Sequence, residues 1–224
     1  MFKKAGRLSL FLLIVMMSSC SAVKAKMGAA PYSGTTAALK PLIVLDAGHG
    51  GPDIGTKLKF PKVEEKRFNL KIALKAKKYL EHLGYRVVMT RTKDVFIPLK
   101  RRVYIANKSN SEVFVSLHFN SCANKDVHGV EIFYSDMDKN PARNTASRKL
   151  AEMILARVIF RSQAATRGVK KGSWCVIRDT RMPSVLFEGG FVTNKAELAR
   201  IRRDDYLDKL AKGIAEGIDA FVRA

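Results

Sequence analysis

The architecture of this chain follows from the stretch Leu42-Ile43-Val44-Leu45-Asp46-Ala47-Gly48-His49-Gly50-Gly51. A short apolar run that leads directly into a glycine-rich loop is typical of a buried parallel strand whose carboxyl end carries a binding site. Glycines let the backbone approach a ligand closely, and His49 is the reactive side chain among them. The loop matches neither of two phosphate-binding patterns, Gly-x-x-x-x-Gly-Lys-Ser/Thr and Gly-x-Gly-x-x-Gly before a helix. The stretch therefore favours an open α/β sheet with a functional site at the end of its first strand.

Short apolar runs alternate with longer amphipathic segments along the rest of the chain, which is the pattern of an α/β domain. We expect a single domain over residues 42–224, with a twisted, mostly parallel sheet of about six strands flanked by about five helices. The predicted strands are 42–45, 86–90, 113–117, 129–134, 174–177 and 184–187. The predicted helices are 64–83, 99–109, 142–161, 195–201 and 204–222.

The composition is that of an ordinary globular domain with a strong excess of positive charge. Of 224 residues, 47% are hydrophobic and 27% are charged, which excludes a disordered polyelectrolyte and a polytopic membrane protein. There are 41 Lys and Arg against 20 Asp and Glu, a formal net charge of +21. Residues 1–40 hold six of the bases and no acid, so +15 remains on the other 184 residues. An anionic partner is therefore expected, and nucleic acid, anionic lipid and an acidic wall polymer all meet this requirement.

The amino-terminal segment has the layout of a secretory signal peptide. Three cations in residues 1–7 precede an apolar run over residues 8–17 and small residues at 18–20. The run has about ten residues, whereas a membrane-spanning helix needs about 20. We expect a signal peptide at residues 1–25 and a linker at residues 26–41, rich in Ala, Gly, Thr and Pro. The mature protein is then expected in the periplasm or cell envelope.

The end of the apolar run also resembles a bacterial lipobox, Met17-Ser18-Ser19-Cys20, with methionine where leucine is usual. If Cys20 is lipidated, the protein is anchored to a membrane, whereas cleavage after Val23-Lys24-Ala25 would release it. The remaining cysteines, Cys122 and Cys175, are too few for a disulfide framework and are expected to be free thiols.

Two further residues could complete a metal site with His49. His118 follows the apolar run at 113–117, so two strand ends present histidines at the same edge of the sheet. Glu65 lies on the core face of the predicted first helix, where a carboxylate is costly unless something positive meets it. Two histidines and a glutamate leave tetrahedral Zn²⁺ one open position, as in catalytic zinc sites. The alternatives are core histidines bonded to backbone and an acid favoured by the helix dipole.

Glu188 is the candidate for moving protons at such a site. It follows an apolar run at 183–187 and lies at the same edge of the sheet as the histidines. A carboxylate there can take a proton from water and pass it to a leaving amine. The alternative is an ion pair with a cation such as Arg178 or Arg181.

Six segments carry a resemblance to a known family. They are IVLDAGHGG at 43–51, EKRFNL at 65–70, TRTKD at 90–94, SLHFNS at 116–121, RGVK at 167–170 and MPSVLFEGGFVTN at 182–194. Their order and spacing resemble the zinc-dependent N-acetylmuramoyl-L-alanine amidases of the bacterial Amidase_3 family. The resemblance extends over the whole domain, from Leu42 to Val222.

The resemblance implies hydrolysis of the amide bond between N-acetylmuramic acid and L-alanine of the peptidoglycan stem peptide, by zinc-activated water. His49, Glu65 and His118 match the family's zinc ligands. Glu188 matches its catalytic glutamate, the general acid and base. Peptidoglycan or a muropeptide is then the expected partner, and nucleic acid is not. The expected substrate contacts are Arg91, Asn120 and Arg178.

Two departures from the family pattern carry further expectations. Some members insert a long helical segment after the fourth strand, and it covers the zinc site until an activator removes it. Residues 135–145 are too few for such a segment here, so we expect a site that needs no activator. Gly189-Gly190 stands where relatives more often have a larger first residue, which predicts a looser wall beside Glu188.

Three other functions remain open on the residues alone. Ser21-Ala22-Val23-Lys24 formally fits the Ser-x-x-Lys of penicillin-sensitive acyl transferases, although their Ser-Asp-Asn and Lys-Thr-Gly motifs are missing. A wall peptidase, such as a DD-carboxypeptidase, could use the same zinc ligands. A non-catalytic basic module could bind wall polymer or nucleic acid through charge alone. The secretory leader and the lack of a basic stripe interleaved with aromatic residues argue against nucleic acid.

Overall fold

The computed structural model describes residues 40–58 and 63–224. The predicted signal peptide, Cys20 and the Ser21–Lys24 pattern lie outside the described residues. Among the helices described, none is long and apolar enough to cross a membrane. The strands are β1 Leu42–Ala47, β2 Lys57–Leu58, β3 Val63–Glu64, β4 Arg86–Met89, β5 Val113–Asn120, β6 Val130–Tyr134, β7 Thr166–Lys171 and β8 Ser184–Phe191. The helices are α1 Glu65–His82, α2 Leu99–Lys108, α3 Pro141–Ser162, α4 Cys175–Arg178, α5 Lys195–Ile201 and α6 Asp204–Val222.

Six of the strands form one sheet in the order β4-β1-β5-β8-β6-β7, and β2 and β3 form a separate short hairpin. All neighbours in the large sheet run parallel except β6 and β8, which are antiparallel. The carboxyl ends of β1, β5 and β8 therefore meet at one edge, and the amino ends of β6 and β7 reach the same edge. This arrangement confirms the mostly parallel α/β domain and places the candidate residues together.

Two layers of helices cover the sheet. The larger layer is built from α1, α3 and α6, which pack on one another and on the face that carries Ile43, Val115 and Phe187. The smaller layer is built from α2 and α4, which cover the opposite face at Val44 and Leu186. Because side chains alternate along a strand, Asp46, Ser116, His118 and Glu188 share the face of the smaller layer.

The predicted strand at 174–177 is wrong, because this segment forms the one-turn helix α4. The carbonyl oxygen of Trp174 accepts hydrogen bonds from the amides of Ile177 and Arg178, at 3.0 and 2.9 Å. This turn buries Val176 and Ile177 together within the smaller layer, whereas a strand would point them to opposite faces.

The sheet gains its sixth strand from β7, which the hydrophobic pattern did not predict. Its sequence, TRGVKK, contains one apolar side chain, that of Val169, and the strand lies at the edge of the sheet. An edge strand with charged residues needs no apolar alternation, because one side of it faces solvent. The five predicted helices are confirmed with ends within one residue, and Cys122 and Cys175 are free.

Candidate metal centre

The glycine-rich loop after β1 turns sharply and presents His49 to the edge of the sheet. His49 itself has a φ of 60°, in the left-handed region that side chains other than glycine seldom adopt. Gly48 must be glycine, because a Cβ there would lie 2.1 Å from the ring of His118. The loop therefore brings the two histidine rings together, with their centroids 4.8 Å apart and their planes nearly perpendicular.

The three predicted metal ligands meet at one point. Oε1 of Glu65 lies 3.2 Å from Nε2 of His49 and 2.9 Å from Nδ1 of His118. All three ligand atoms lie within 4.8 Å of one another. Glu65 is 3% exposed at the first turn of α1, which confirms the helix phase predicted from the sequence.

The electrostatics of this trio favour positive charge between the three side chains. Burial alone would raise the pKa of Glu65, but hydrogen bonds to His118 and His49 outweigh it and lower the pKa far below its usual range. Burial alone would lower the pKa of His49, but its contacts with Glu65 and Asp53 outweigh that effect and raise the pKa. The donor set, two imidazoles and a carboxylate, is the kind that a divalent metal such as zinc prefers.

A fourth side chain, Asp53, orients His49. Its two carboxylate oxygens lie 2.8 and 2.9 Å from Nδ1 of His49. A carboxylate on one ring nitrogen fixes the tautomer and leaves the other nitrogen, Nε2, free to face Glu65. Asp53 was not predicted from the sequence. A carboxylate four residues after the loop histidine was the available signal.

Glu188 lies at the wall of the same cleft, on β8 beside His118 of β5. Its Oε2 is buried and has no hydrogen-bond partner among the described residues. Burial, together with the charges of Glu65 and Glu131, holds the pKa of Glu188 well above its usual range. The alternative ion pair with Arg178 is not formed, because Arg178 instead contacts Asp179 at 2.7 Å.

The three expected substrate contacts have different positions. Asn120 lines the cleft, and its Nδ2 donates to Oε1 of Glu131 at 2.7 Å. Arg178 is exposed on α4 and is not among the lining residues. Arg91 is 3% exposed and donates to four carbonyl oxygens, among them those of Ala47 and Gly48. Its guanidinium therefore holds the backbone of the metal loop, and its part in substrate binding stays a prediction.

A second arginine, Arg102 of α2, also holds this loop and was not predicted. Its Nη1 lies 2.6 Å from Oδ1 of Asp46, in an ion pair with both side chains at most 2% exposed. The same guanidinium donates to the carbonyl oxygens of Ala47 and His49, each at 2.7 Å. The pair therefore connects β1, α2 and the metal loop.

The cleft has a volume of about 620 Å³, with the metal ligands and Glu188 among its lining residues. Its outer wall is formed by the beginnings of α2 and α4 and by the loop before α2. Three of these wall residues are unusually exposed apolar side chains, namely Phe96, Leu99 and Trp174. The arrangement is a polar floor with an apolar rim, which suits an amphipathic ligand with a hydrolysable bond.

Comparison with known proteins gives consistent results. Residues 43–220 match the family described as N-acetylmuramoyl-L-alanine amidase, Amidase_3. The chain is 33% identical to the N-acetylmuramoyl-L-alanine amidase LytC of Bacillus subtilis, over 81% of this chain and 35% of LytC. It matches the crystal structure of an N-acetylmuramoyl-L-alanine amidase from Clostridium difficile 630 with a TM-score of 0.78 and 32% identity, over 83% of this chain and 98% of that one.

A further match is the CwlD amidase from Clostridioides difficile in complex with the GerS lipoprotein. The TM-score is 0.76 at 30% identity, over 82% of this chain and 99% of that chain. The chain thus spans almost the full length of the solved amidase domains, but only about a third of LytC.

Proposed function

The chain belongs to the Amidase_3 family of N-acetylmuramoyl-L-alanine amidases, and on this basis we propose that it hydrolyses the amide bond between N-acetylmuramic acid and L-alanine in peptidoglycan. The observation that carries the proposal is the juxtaposition, in one cleft, of a His–Glu–His trio and the carboxylate of Glu188, whose Oε2 is buried and has no partner among the described residues. Such a pairing serves hydrolysis, in which one group activates water and another transfers its proton.

His49, Glu65 and His118 would hold a zinc ion. Their ligand atoms already converge, and Asp53 supports one of the imidazoles from behind. Three protein ligands leave tetrahedral zinc an open position, which distinguishes catalytic from structural sites. When bound, zinc activates water at neutral pH and stabilises negative charge on the carbonyl oxygen.

Glu188 would move the proton. Because its pKa is raised above the usual range, the carboxyl group can hold the proton that it takes from the attacking water until the leaving nitrogen receives it. The nitrogen of L-alanine needs this proton to leave as an amine, so the leaving nitrogen must lie beside Glu188. Asn120 lines the same cleft and gives one N–H of Nδ2 to Glu131, so its second N–H can be donated to the substrate.

We also propose that the site is open without an activator. Residues 135–140 alone connect β6 to α3, so this connection holds no helix that could cover the metal ligands. Because the relative CwlD was solved together with a lipoprotein, the activity assay must be run with no other protein present. Activity that requires an added partner would contradict an open site.

The reaction is expected outside the cytoplasm, where peptidoglycan lies. The predicted signal peptide supports this location, and Cys20 would supply a lipid anchor if the lipobox is used. The net charge of +21 suits a wall whose peptides carry carboxylates.

Mass spectrometry of the products tests the proposal directly. The purified, zinc-loaded protein is incubated with muramoyl peptides of known sequence, and a chelated sample is the control. We expect a free peptide that begins with L-alanine, and we expect this product to be absent from the chelated sample. The active protein should contain one zinc ion per chain. Release of only a terminal D-alanine would make the protein a carboxypeptidase. Intact substrate under all conditions would contradict the amidase proposal and favour a binding module.

A further inference from the structure

A buried carboxylate, that of Glu131 of β6, lies directly beside Glu188 in the antiparallel register of β6 and β8. Its Oε1 accepts from Asn120, and its Oε2 accepts from Nε of Arg167 at 2.9 Å and from Nζ of Lys170 at 2.5 Å. The carboxylate side chain is 5% exposed, whereas Arg167 and Lys170 are 38% and 36% exposed. Two cations are thus fixed by one buried anion and still reach the surface.

This basic pair, Arg167 and Lys170, keeps donors available for a ligand. Arg167 uses only Nε toward Glu131, and neither of its Nη atoms has a hydrogen-bond partner among residues 40–58 and 63–224. The ammonium group of Lys170 has three donors, of which one is engaged. Because two positive charges face one negative charge, the cluster keeps an uncompensated positive charge at the surface.

The basic pair is continuous with the cleft. The ammonium group of Lys170 lies 5.9 Å above the ring of Phe133. That ring packs 4.5 Å from the ring of Trp174, which lines the cleft. On the other side, Asn120 lines the cleft and bonds to Glu131. A surface of aromatic and basic side chains therefore leads from Glu188 toward β7.

The basic pair lies on the side of Glu188 where the peptide part of the substrate is expected. The metal ligands of β1 and β5 lie on one side of Glu188 in the sheet, and β6 and β7 lie on the other. Since the leaving nitrogen must meet Glu188, the peptide part of the substrate extends over β6 toward β7. Strands are about 4.8 Å apart, and an extended peptide advances about 3.4 Å per residue. A peptide that leaves Glu188 in this direction would place its second residue over β6, between β8 and β7.

We propose that Arg167 and Lys170 form a subsite that binds the free carboxylate on the second residue of the stem peptide. The inference rests on the proposed amidase function and adds a determinant of substrate choice. Charge-assisted hydrogen bonds from a guanidinium and an ammonium group favour a carboxylate over its uncharged amide. An enzyme with this subsite prefers stem peptides whose second residue is not amidated.

The test compares two muramoyl tripeptides that differ only in whether the α-carboxyl group of the second residue is free or amidated. We expect the protein to cleave the free acid with a kcat/KM about tenfold higher, mainly through a lower KM. In Arg167→Gln the preference should fall to about twofold or less, because only the free acid loses a charge-assisted hydrogen bond to the guanidinium. Lys170→Gln is the second variant, and it decides the question if Arg167→Gln does not fold.

Lys171→Gln is the matched control. Lys171 lies on the same strand and carries the same charge, but its side chain points to the other face of the sheet and contacts Asp136 at 2.7 Å. We expect this variant to keep the full preference for the free acid. Equal cleavage of both peptides by the wild type, or an unchanged preference in both Arg167→Gln and Lys170→Gln, would overturn the subsite and leave the amidase function intact. Cleavage of neither peptide at the muramoyl–alanine bond would overturn the amidase function and the subsite with it.

Discussion

Asp46 and Glu188 are two carboxylates on the same face of the sheet, separated by β5, and their surroundings are opposite. Asp46 is fully buried, whereas Glu188 is half-buried with its Oε2 enclosed. Asp46 accepts hydrogen bonds from Arg102, Thr90 and Ser116. Burial alone would raise its pKa, but Arg102 and the hydroxyl groups outweigh burial and lower it. For Glu188 nothing offsets burial, and its pKa is raised. A partner thus decides whether a buried acid stays ionised and holds the fold or keeps a proton for chemistry.

The same difference sets what each residue contributes to stability. The Asp46–Arg102 pair is connected to the backbone of the metal loop, so loss of one charge leaves the other buried and unpaired. The unpartnered Oε2 of Glu188 costs free energy in the folded state, as an unsatisfied buried acceptor does. Such local destabilisation of the folded state is typical of functional sites.

Replacement of Glu188 should give the largest effect, and it should be on activity alone. In Glu188→Gln the side chain keeps its shape but cannot carry a proton, so we expect kcat to fall by about 10²–10⁴-fold. The free energy of unfolding should stay unchanged or rise slightly, because no ion pair is broken. Product release and urea denaturation measure the two quantities, and zinc content is the control. A variant with more than a tenth of wild-type activity would show that Glu188 does not carry the proton.

Replacement of Asp46 should have the opposite signature. In Asp46→Asn the guanidinium of Arg102 loses its counter-charge while 2% exposed, and we expect the free energy of unfolding to fall by about 3–5 kcal/mol. Urea denaturation measures this loss. Asp204→Asn is the control, since Asp204 pairs with Lys71 and Lys75 at the surface and should matter little. Equal losses in the two variants would refute the distinction between a buried and an exposed carboxylate.

A third carboxylate, Asp53, lies between these extremes. It is partly exposed, its pKa is lowered by its contact with His49 in spite of burial, and it also accepts a hydrogen bond from the amide of Gly55 at 3.2 Å. In Asp53→Ala we expect zinc affinity to fall by about 10- to 100-fold, because His49 loses the bond that sets its tautomer and orientation. Competition with a coloured chelator measures the affinity. Unchanged zinc binding would show that the loop backbone alone positions His49.

The smallest expected effect is the change with pH in what Asp46 contributes to the free energy of unfolding. Since the pKa of Asp46 is lowered from 3.8 in the folded state, its contribution is complete above pH 3.8 and is lost as pH falls through the folded-state pKa. The difference in unfolding free energy between wild type and Asp46→Asn should be constant from pH 7 to 5. Below pH 4 it should shrink, by at most about 1.4 kcal/mol per pH unit. A difference that stays constant down to pH 3 would contradict an ionised Asp46 in the folded protein.

Local patterns in the sequence were sufficient for most of the fold and for the metal ligands. The apolar runs before His49, His118 and Glu188 predicted three strands, and parallel strands necessarily bring their carboxyl ends to one edge. Helix periodicity predicted that Glu65 faces inward, which the 3% exposure confirms. These features depend on residues close together in the chain, and for that reason they are readable from the sequence.

Only the tertiary structure decided which charges are paired. Asp46 and Arg102 are 56 residues apart, and the four carbonyl oxygens that bind Arg91 belong to three different segments. The edge strand β7 has no apolar alternation, because its order comes from pairing with β6. The cations beside Glu131 were visible as a sequence motif, but nothing local shows that they bind the carboxylate next to Glu188. Periodicity reports which face of an element is buried, whereas the partner of a buried charge is set by contacts between distant segments.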